Sequence, residues 1–266
     1  MNSPKLNRLQ PMGLGPVWVR RRSALRGGDS ASGDEDASLD SIDALATPPA
    51  LDVSRPAAAV QAEEAAHSPS FAADIATMNW DALEASIRAC TRCGLCEGRK
   101  HAVPGVGDRS ARWLFVGEGP GRNEDLQGEP FVGPAGKLLD NMLRALGLAR
   151  GENTYIANIV KCRPVGPDGR DRPPAADEVS ACLPYLQRQV ALIRPDVIVA
   201  LGKTAAISLL GLGEDTSLGS LRGQPRVYAG IPLVITYHPA YLLRKPVDKA
   251  KTWRDLCAAK SLVDGR

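Results

Sequence analysis

Four short apolar runs, at 113–116, 155–160, 197–201 and 233–236, set the tightest limit on the fold. Each is partly β-branched, bounded by Gly, Pro or polar residues, and of strand length, so each reads as a buried strand. Segments of helical period lie between them. Residues 135–146 carry Leu138, Leu139, Met142, Leu143 and Leu146, residues 177–193 carry Val179, Leu183, Leu186 and Val190, and 204–210 is shorter. Strands alternating with helices imply an α/β fold with a mostly parallel sheet covered on both faces. Such sheets bind ligands beyond the carboxyl ends of their strands, so the loops after the four runs are where chemistry is expected.

The chain has 266 residues, of which 44% are hydrophobic, enough for one large core, but its composition is uneven. Residues 1–75 hold seven Lys/Arg and ten Asp/Glu, a balance of −3, which leaves +6 on residues 76–266. That basic balance is compatible with a phosphate-backbone partner and does not by itself require one. Between Asp29 and Ala73 the chain is rich in Ala, Ser, Asp and Pro, so a disordered extension over 1–75 is expected ahead of a domain at 76–266. Within the extension, residues 9–22 combine Leu, Val and Trp18 with the basic end Arg20, Arg21 and Arg22, a pattern suited to docking a protein partner. The three arginines lack the apolar run of an export signal, although an acid-free, Arg-bearing start is also compatible with a transit peptide. No stretch reaches the roughly 18–20 apolar residues of a membrane helix. A soluble, cytoplasmic protein without a membrane partner is expected.

From Trp80 the pattern becomes globular, and Trp80, Leu83, Ile87 and Ala89 are spaced as on a helix leading to Cys90. The first strand ends in the Gly-rich turn Gly117-Glu118-Gly119-Pro120-Gly121, with Glu124 and Asp125 close behind. The second ends in Asn158-Ile159-Val160-Lys161-Cys162-Arg163-Pro164, and the fourth in His238-Pro239-Ala240-Tyr241-Leu242-Leu243-Arg244. Three strand ends thus offer polar groups to one crevice.

Together with Phe131-Val132-Gly133-Pro134-Ala135-Gly136 and Cys90-Thr91-Arg92-Cys93, these segments resemble the family 4 uracil-DNA glycosylases, the iron-sulfur branch of the uracil-DNA glycosylase superfamily. The resemblance runs over residues 80–260 with the motifs in unbroken order. It implies a three-layer α/β/α sandwich around a four-stranded parallel sheet. It also implies roles. Asn158 would pair with uracil, Phe131 would stack on the flipped base, and Glu124 would crowd the C5 methyl of thymine. His238 would stabilise charge on the leaving uracil. Gly117 and Gly119 would line the pocket. Leu242 and Leu243 would wedge into the base stack, with Arg244 on a phosphate. Related single-family enzymes carry an Asp where this chain has Gly119, so Glu118 is the candidate for holding the attacking water.

Six cysteines without an export signal point to metal ligation or free thiols rather than disulfides. Cys90, Cys93, Cys162 and Cys182 match the family's cluster ligands, with a small loop insertion over 165–172. Cys96 forms Cys90-x2-Cys93-x2-Cys96 and offers a competing third ligand. The resemblance implies a 4Fe-4S cluster, while four thiolates would also hold zinc. Either metal would draw Arg92, Lys161 and Arg163 toward a phosphate surface. Cys257 is expected in the core beside Trp253 and Leu256. The expected function is a monomeric, monofunctional glycosylase that releases uracil from single-stranded and mismatched duplex DNA in base excision repair. The alternative is a non-catalytic nucleic-acid-binding module with the same fold and metal.

Overall fold

A computed structural model describes residues 69–265. The docking segment 9–22 and the extension as far as residue 68 lie outside the described residues. Six strands form one sheet: β1 (Val106–Gly107), β2 (Trp113–Gly117), β3 (Thr154–Asn158), β4 (Val197–Leu201), β5 (Arg226–Tyr228) and β6 (Ile231–Thr236). Their spatial order is β1-β3-β2-β4-β6-β5. The four expected runs are the four central strands, and all three pairings among them are parallel. The four-stranded expectation therefore falls short by β1 and β5, which pair antiparallel at the two edges. Neither edge strand has a fully buried residue, so neither presents an apolar run to be read.

The helices are α1 (Pro69–Thr77), α2 (Trp80–Ala89), α3 (Leu95–Gly98), α4 (Arg122–Gln127), α5 (Pro134–Leu146), α6 (Ala176–Ile193), α7 (Lys203–Leu210), α8 (Leu218–Leu221), α9 (Pro239–Arg244) and α10 (Lys249–Asp264). They divide between the two sheet faces because side chains alternate along a strand. Leu114 and Val116 of β2 join a core with Leu83 and Ile87 of α2, Leu186 and Val190 of α6, and Ala205 of α7. Trp113 and Phe115 of the same strand join another with Leu139 and Leu143 of α5, Leu242 of α9 and Leu256 of α10. The result is the three-layer sandwich. At about 25 cal/mol per Å² of apolar surface removed from water, these two cores are the main source of stability.

Helix α1 (Pro69–Thr77) packs on the domain from ahead of residue 76, where the domain was expected to begin. Its Ile75 is 1% exposed, and the ring of Phe71 meets Tyr185 of α6 edge-on at 5.7 Å. A nine-residue helix with three alanines gives too few apolar positions to separate from the Ala-rich linker before it.

Register brings the motifs together. Gly117 closes β2 directly opposite Asn158 closing β3, while Leu201 of β4 pairs with Thr236 of β6, two residues before His238. All of these ends point the same way because the strands are parallel.

Candidate active site

A cleft of about 580 Å³ opens at the carboxyl ends of β2, β3 and β6. Its floor is a meeting of three groups. Asn158 is 2% exposed, and its Oδ1 has no hydrogen-bond partner among the described residues. A Cβ on Gly117 would fall 2.4 Å from that oxygen and 2.5 Å from Cζ of Phe131, so only glycine lets the amide and the ring approach this closely. The Phe131 and His238 rings stack at 5.5 Å between centroids and 30° between planes.

His238 caps α9, with its Nδ1 accepting the backbone N–H of Ala240 at 3.1 Å. A backbone N–H only donates, so Nδ1 is the lone-pair nitrogen and the neutral ring carries its proton on Nε2. Burial first, and the Arg244 charge second, push the imidazole pKa down to about 4, which keeps this tautomer neutral at pH 7. The carboxylate of Glu118 accepts a hydrogen bond from the Thr204 hydroxyl in the first turn of α7. Sequence reasoning missed Thr204, although its place three residues after β4 follows the same strand-end rule that found the others.

Glu124 of α4 lines the cleft, but its Oε1 accepts the N–H groups of Val132 and Gly133, each at 3.0 Å. It therefore anchors the Phe131 loop as well as facing the pocket. Gly119 also lines the cleft and supplies no carboxylate. Asp171 and Arg172 of the 165–172 segment, with Pro173 after it, add to the wall. The segment's spacing gave no sign of that role.

Two expectations about DNA contacts are corrected. Leu242 is fully buried and belongs to the core under α5, so it cannot wedge into a base stack. One residue further along the helix is a 100° turn, and Leu243 is 46% exposed there. Arg244 lines the cleft mouth. Lys161 is 1% exposed, and its ammonium donates to the Asn158 carbonyl at 2.8 Å and to Gln189 Oε1 at 2.7 Å, so it faces inward rather than toward phosphates. Arg163 pairs with Asp171, and Arg92 lies 3.5 Å over the Phe71 ring.

A family model described as the uracil DNA glycosylase superfamily matches residues 104–257, more than half of the chain. A type-4 uracil-DNA glycosylase of Archaeoglobus fulgidus is 45% identical over 172 residues, covering 62% of this chain and 84% of that protein. Its counterpart in Pyrobaculum aerophilum is 42% identical over 187 residues, covering 67% and 92% respectively. The chain belongs to the type-4 uracil-DNA glycosylase family. A third member, from Saccharolobus solfataricus, is 45% identical over 175 residues, covering 63% of this chain and 79% of its own.

The type-4 resemblance also named four cysteines. Cys90, Cys93, Cys162 and Cys182 line one cavity between α2, α6 and the segment after β3, and Cys96 lines it too. Two of the sulfurs receive donors: Arg99 Nη1 points at Cys162 Sγ from 3.0 Å, and the Lys161 N–H at Cys182 Sγ from 3.2 Å. Burial pushes the Cys182 thiol up to about 12 and raises Cys93 and Cys162, so thiolates form here only with a compensating cation. Among the described residues no three acid, His or Cys side chains stand in metal-holding positions. In its chemistry alone the donor set, five sulfurs lining one cavity with N–H groups aimed at two of them, fits a thiolate-ligated metal group. Cys257 is exposed on α10, which corrects its expected place in the core. No helix among the described residues is long and apolar enough to cross a membrane.

Proposed function

We propose that the protein hydrolyses the N-glycosidic bond of deoxyuridine in DNA, releasing uracil and leaving an abasic site, as a step of base excision repair. The observation that carries this reading is the unpaired, buried Oδ1 of Asn158 beneath Phe131 and opposite a neutral His238. A buried acceptor without a partner costs stability, and a donor on a ligand repays it. The amide of Asn158 matches uracil at two atoms: Oδ1 accepts from N3–H, and the NH2 group donates to O4. Cytosine presents an acceptor at N3 and a donor at C4, so it meets the amide wrongly at both.

The base reaches this floor only after flipping out of the helix, at a cost of a few kcal/mol that stacking on Phe131 and pairing with Asn158 offset. As the glycosidic bond lengthens, negative charge gathers on uracil O2. Nε2–H of His238 donates to that oxygen most strongly in the transition state, so the interaction lowers the barrier rather than merely tightening binding. Water then adds to the electron-deficient sugar, held by Glu118, whose carboxylate is fixed by Thr204. Glu124 takes the place that the C5 methyl of thymine would need. Leu243 enters the vacated stack and Arg244 meets a phosphate. Lys161 is buried and engaged, which supports a monofunctional enzyme without Schiff-base lyase chemistry.

Cys90, Cys93, Cys162 and Cys182 would hold a 4Fe-4S cluster in preference to zinc, with Cys96 beside it. When bound, such a group ties the segment before β1 to the segment after β3 and has no redox part in hydrolysis. Single-stranded and mismatched duplex DNA are the substrates, because their uracils flip at least cost. The enzyme acts as a monomer at the nucleoid in the cytoplasm, with residues 9–22 docking a protein partner.

The test incubates purified protein with labelled single-stranded DNA bearing one uracil, beside a thymine control and a His238→Ala variant, followed by alkaline cleavage of abasic sites. Uracil-dependent cleavage that the variant loses supports the glycosylase. Absence of cleavage with DNA binding retained overturns it in favour of a non-catalytic binding module.

A further inference from the structure

The backbone that carries Phe131 is gripped from outside the cleft. Phe131 has φ +56°, a left-handed conformation that a bulky L residue holds only where its surroundings impose it. The carbonyls of Pro130 and Phe131 both accept from one guanidinium: Arg150 Nη1 and Nη2 reach them at 2.8 Å each. Asp140 of α5 fixes the same guanidinium, its Oδ1 accepting from Nε at 3.1 Å and from Nη2 at 2.9 Å, and Glu129 stands 3.5 Å from Nη1. The Phe131 carbonyl also presses into the first turn of α5, where a Cβ on Gly136 would come within 1.7 Å of it. From the other side, Glu124 takes the next two amides. Carbonyls 130 and 131 and amides 132 and 133 are thus all held, and the ring between them has little freedom to turn away from His238.

We infer that Arg150 is a positioning residue for base stacking: it fixes the left-handed turn that presents Phe131 to the flipped base. It lies in the connection between α5 and β3, 19 residues from Phe131, and takes no part in lining the cleft. Two parallel donors and a third for Asp140 require the planar fork of arginine, which a lysine ammonium cannot reproduce. The inference rests on reading Phe131 as the stacking wall of a uracil pocket.

A double-mutant cycle tests it. Arg150→Gln and Arg150→Lys are each made alone and combined with Phe131→Leu, and single-turnover uracil release is measured alongside Tm, with rates corrected for the folded fraction. Both Arg150 variants should lower kcat/KM roughly 10-fold or more, since small misplacement of a binding group is costly. In the Phe131→Leu background the same changes should alter kcat/KM less than about 2-fold, because the ring they position is gone. Equal losses in both backgrounds, or no loss in either, overturn the positioning role; a structural role alone would shift Tm and multiply rates equally in both. A parent enzyme that releases no uracil overturns the reading of the cleft, and this inference with it.

Discussion

Asn158 and Lys161 stand three residues apart on the same strand end and are equally hidden from solvent, yet their polar atoms are treated in opposite ways. The Lys161 ammonium has two oxygen partners, and Gln189, which supplies one of them, donates in turn to the Pro104 carbonyl at 2.8 Å and lies 3.4 Å from the Tyr155 hydroxyl. Asn158 Oδ1 has none among the described residues. The satisfied group serves the fold, since it braces the carbonyl of Asn158 from below, and the unsatisfied one serves a ligand. A buried polar residue is therefore informative only after its partners are counted.

The largest expected effect breaks the comparison at its open end. Asn158→Ala should lower kcat/KM for uracil release by roughly 10³-fold, in line with loss of a paired group aimed at the reacting base. Its Tm should stay level or rise, because the removed oxygen has no partner to leave behind. A fall in Tm equal to that of a core variant would place Asn158 with Lys161 after all.

His238→Ala should cost about 10²–10³-fold in kcat, as removal of one transition-state donor does elsewhere. The same residue sets a pH dependence. Its folded pKa lies near 4, below the ordinary value of 6.5, so the unfolded chain binds a proton first as pH falls. The stability it contributes is complete above about pH 6.5 and is lost as pH drops toward 4. Uracil release should fall through the same lower limit, since protonating Nδ1 breaks the bond from Ala240. In His238→Ala the difference in Tm between pH 7 and pH 5 should shrink, and an unchanged difference would show that other groups dominate.

Gln189→Leu attacks the satisfied network. It removes one of the two oxygen partners of the Lys161 ammonium and the side-chain donor to the Pro104 carbonyl, and should lower stability by about 1–3 kcal/mol in urea unfolding. Uracil release per folded molecule should change far less than in Asn158→Ala. A stability loss no larger than that of an exposed variant would show that Lys161 finds other partners.

What the sequence discloses follows the same division. The four parallel strands and the cleft at their carboxyl ends were legible because buried runs are local patterns; Asn158 and His238 stood in strand-end motifs, whereas Phe131, between α4 and α5, was singled out by the family resemblance alone. Edge strands β1 and β5 were not, since a half-solvated edge carries no apolar signature. Arg99 acts through a contact 63 residues away in the chain, which no spacing rule encodes, whereas Thr204 stood at a strand end and only its contact with Glu118, 86 residues away, was hidden. Arg150 is hidden for another reason: it acts on backbone carbonyls, which every residue has, so nothing at Pro130 or Phe131 announces the need for it. Lys161 was misassigned because a lysine next to the candidate ligand Cys162 was grouped with Arg92 and Arg163 as charge drawn to a phosphate surface, and its burial has no local signature.

The smallest effect belongs to the pair Leu242 and Leu243, adjacent in sequence and opposite in exposure. Leu242→Ala would empty space in the α5–α10 core and act on stability alone. Leu243→Ala removes an exposed apolar side chain, so Tm should move by no more than about 0.5 kcal/mol worth of stability. Its effect should appear only where a base stack must be held open. Release of uracil from duplex DNA should fall several-fold, within the few kcal/mol that unstacking a step requires, while release from single strands stays at the parent level. The ratio of duplex to single-strand rates is the quantity to measure. If both rates fall together, Leu243 contacts the nucleotide directly rather than wedging, and if neither falls, the face of α9 beside Arg244 bears on DNA through charge alone.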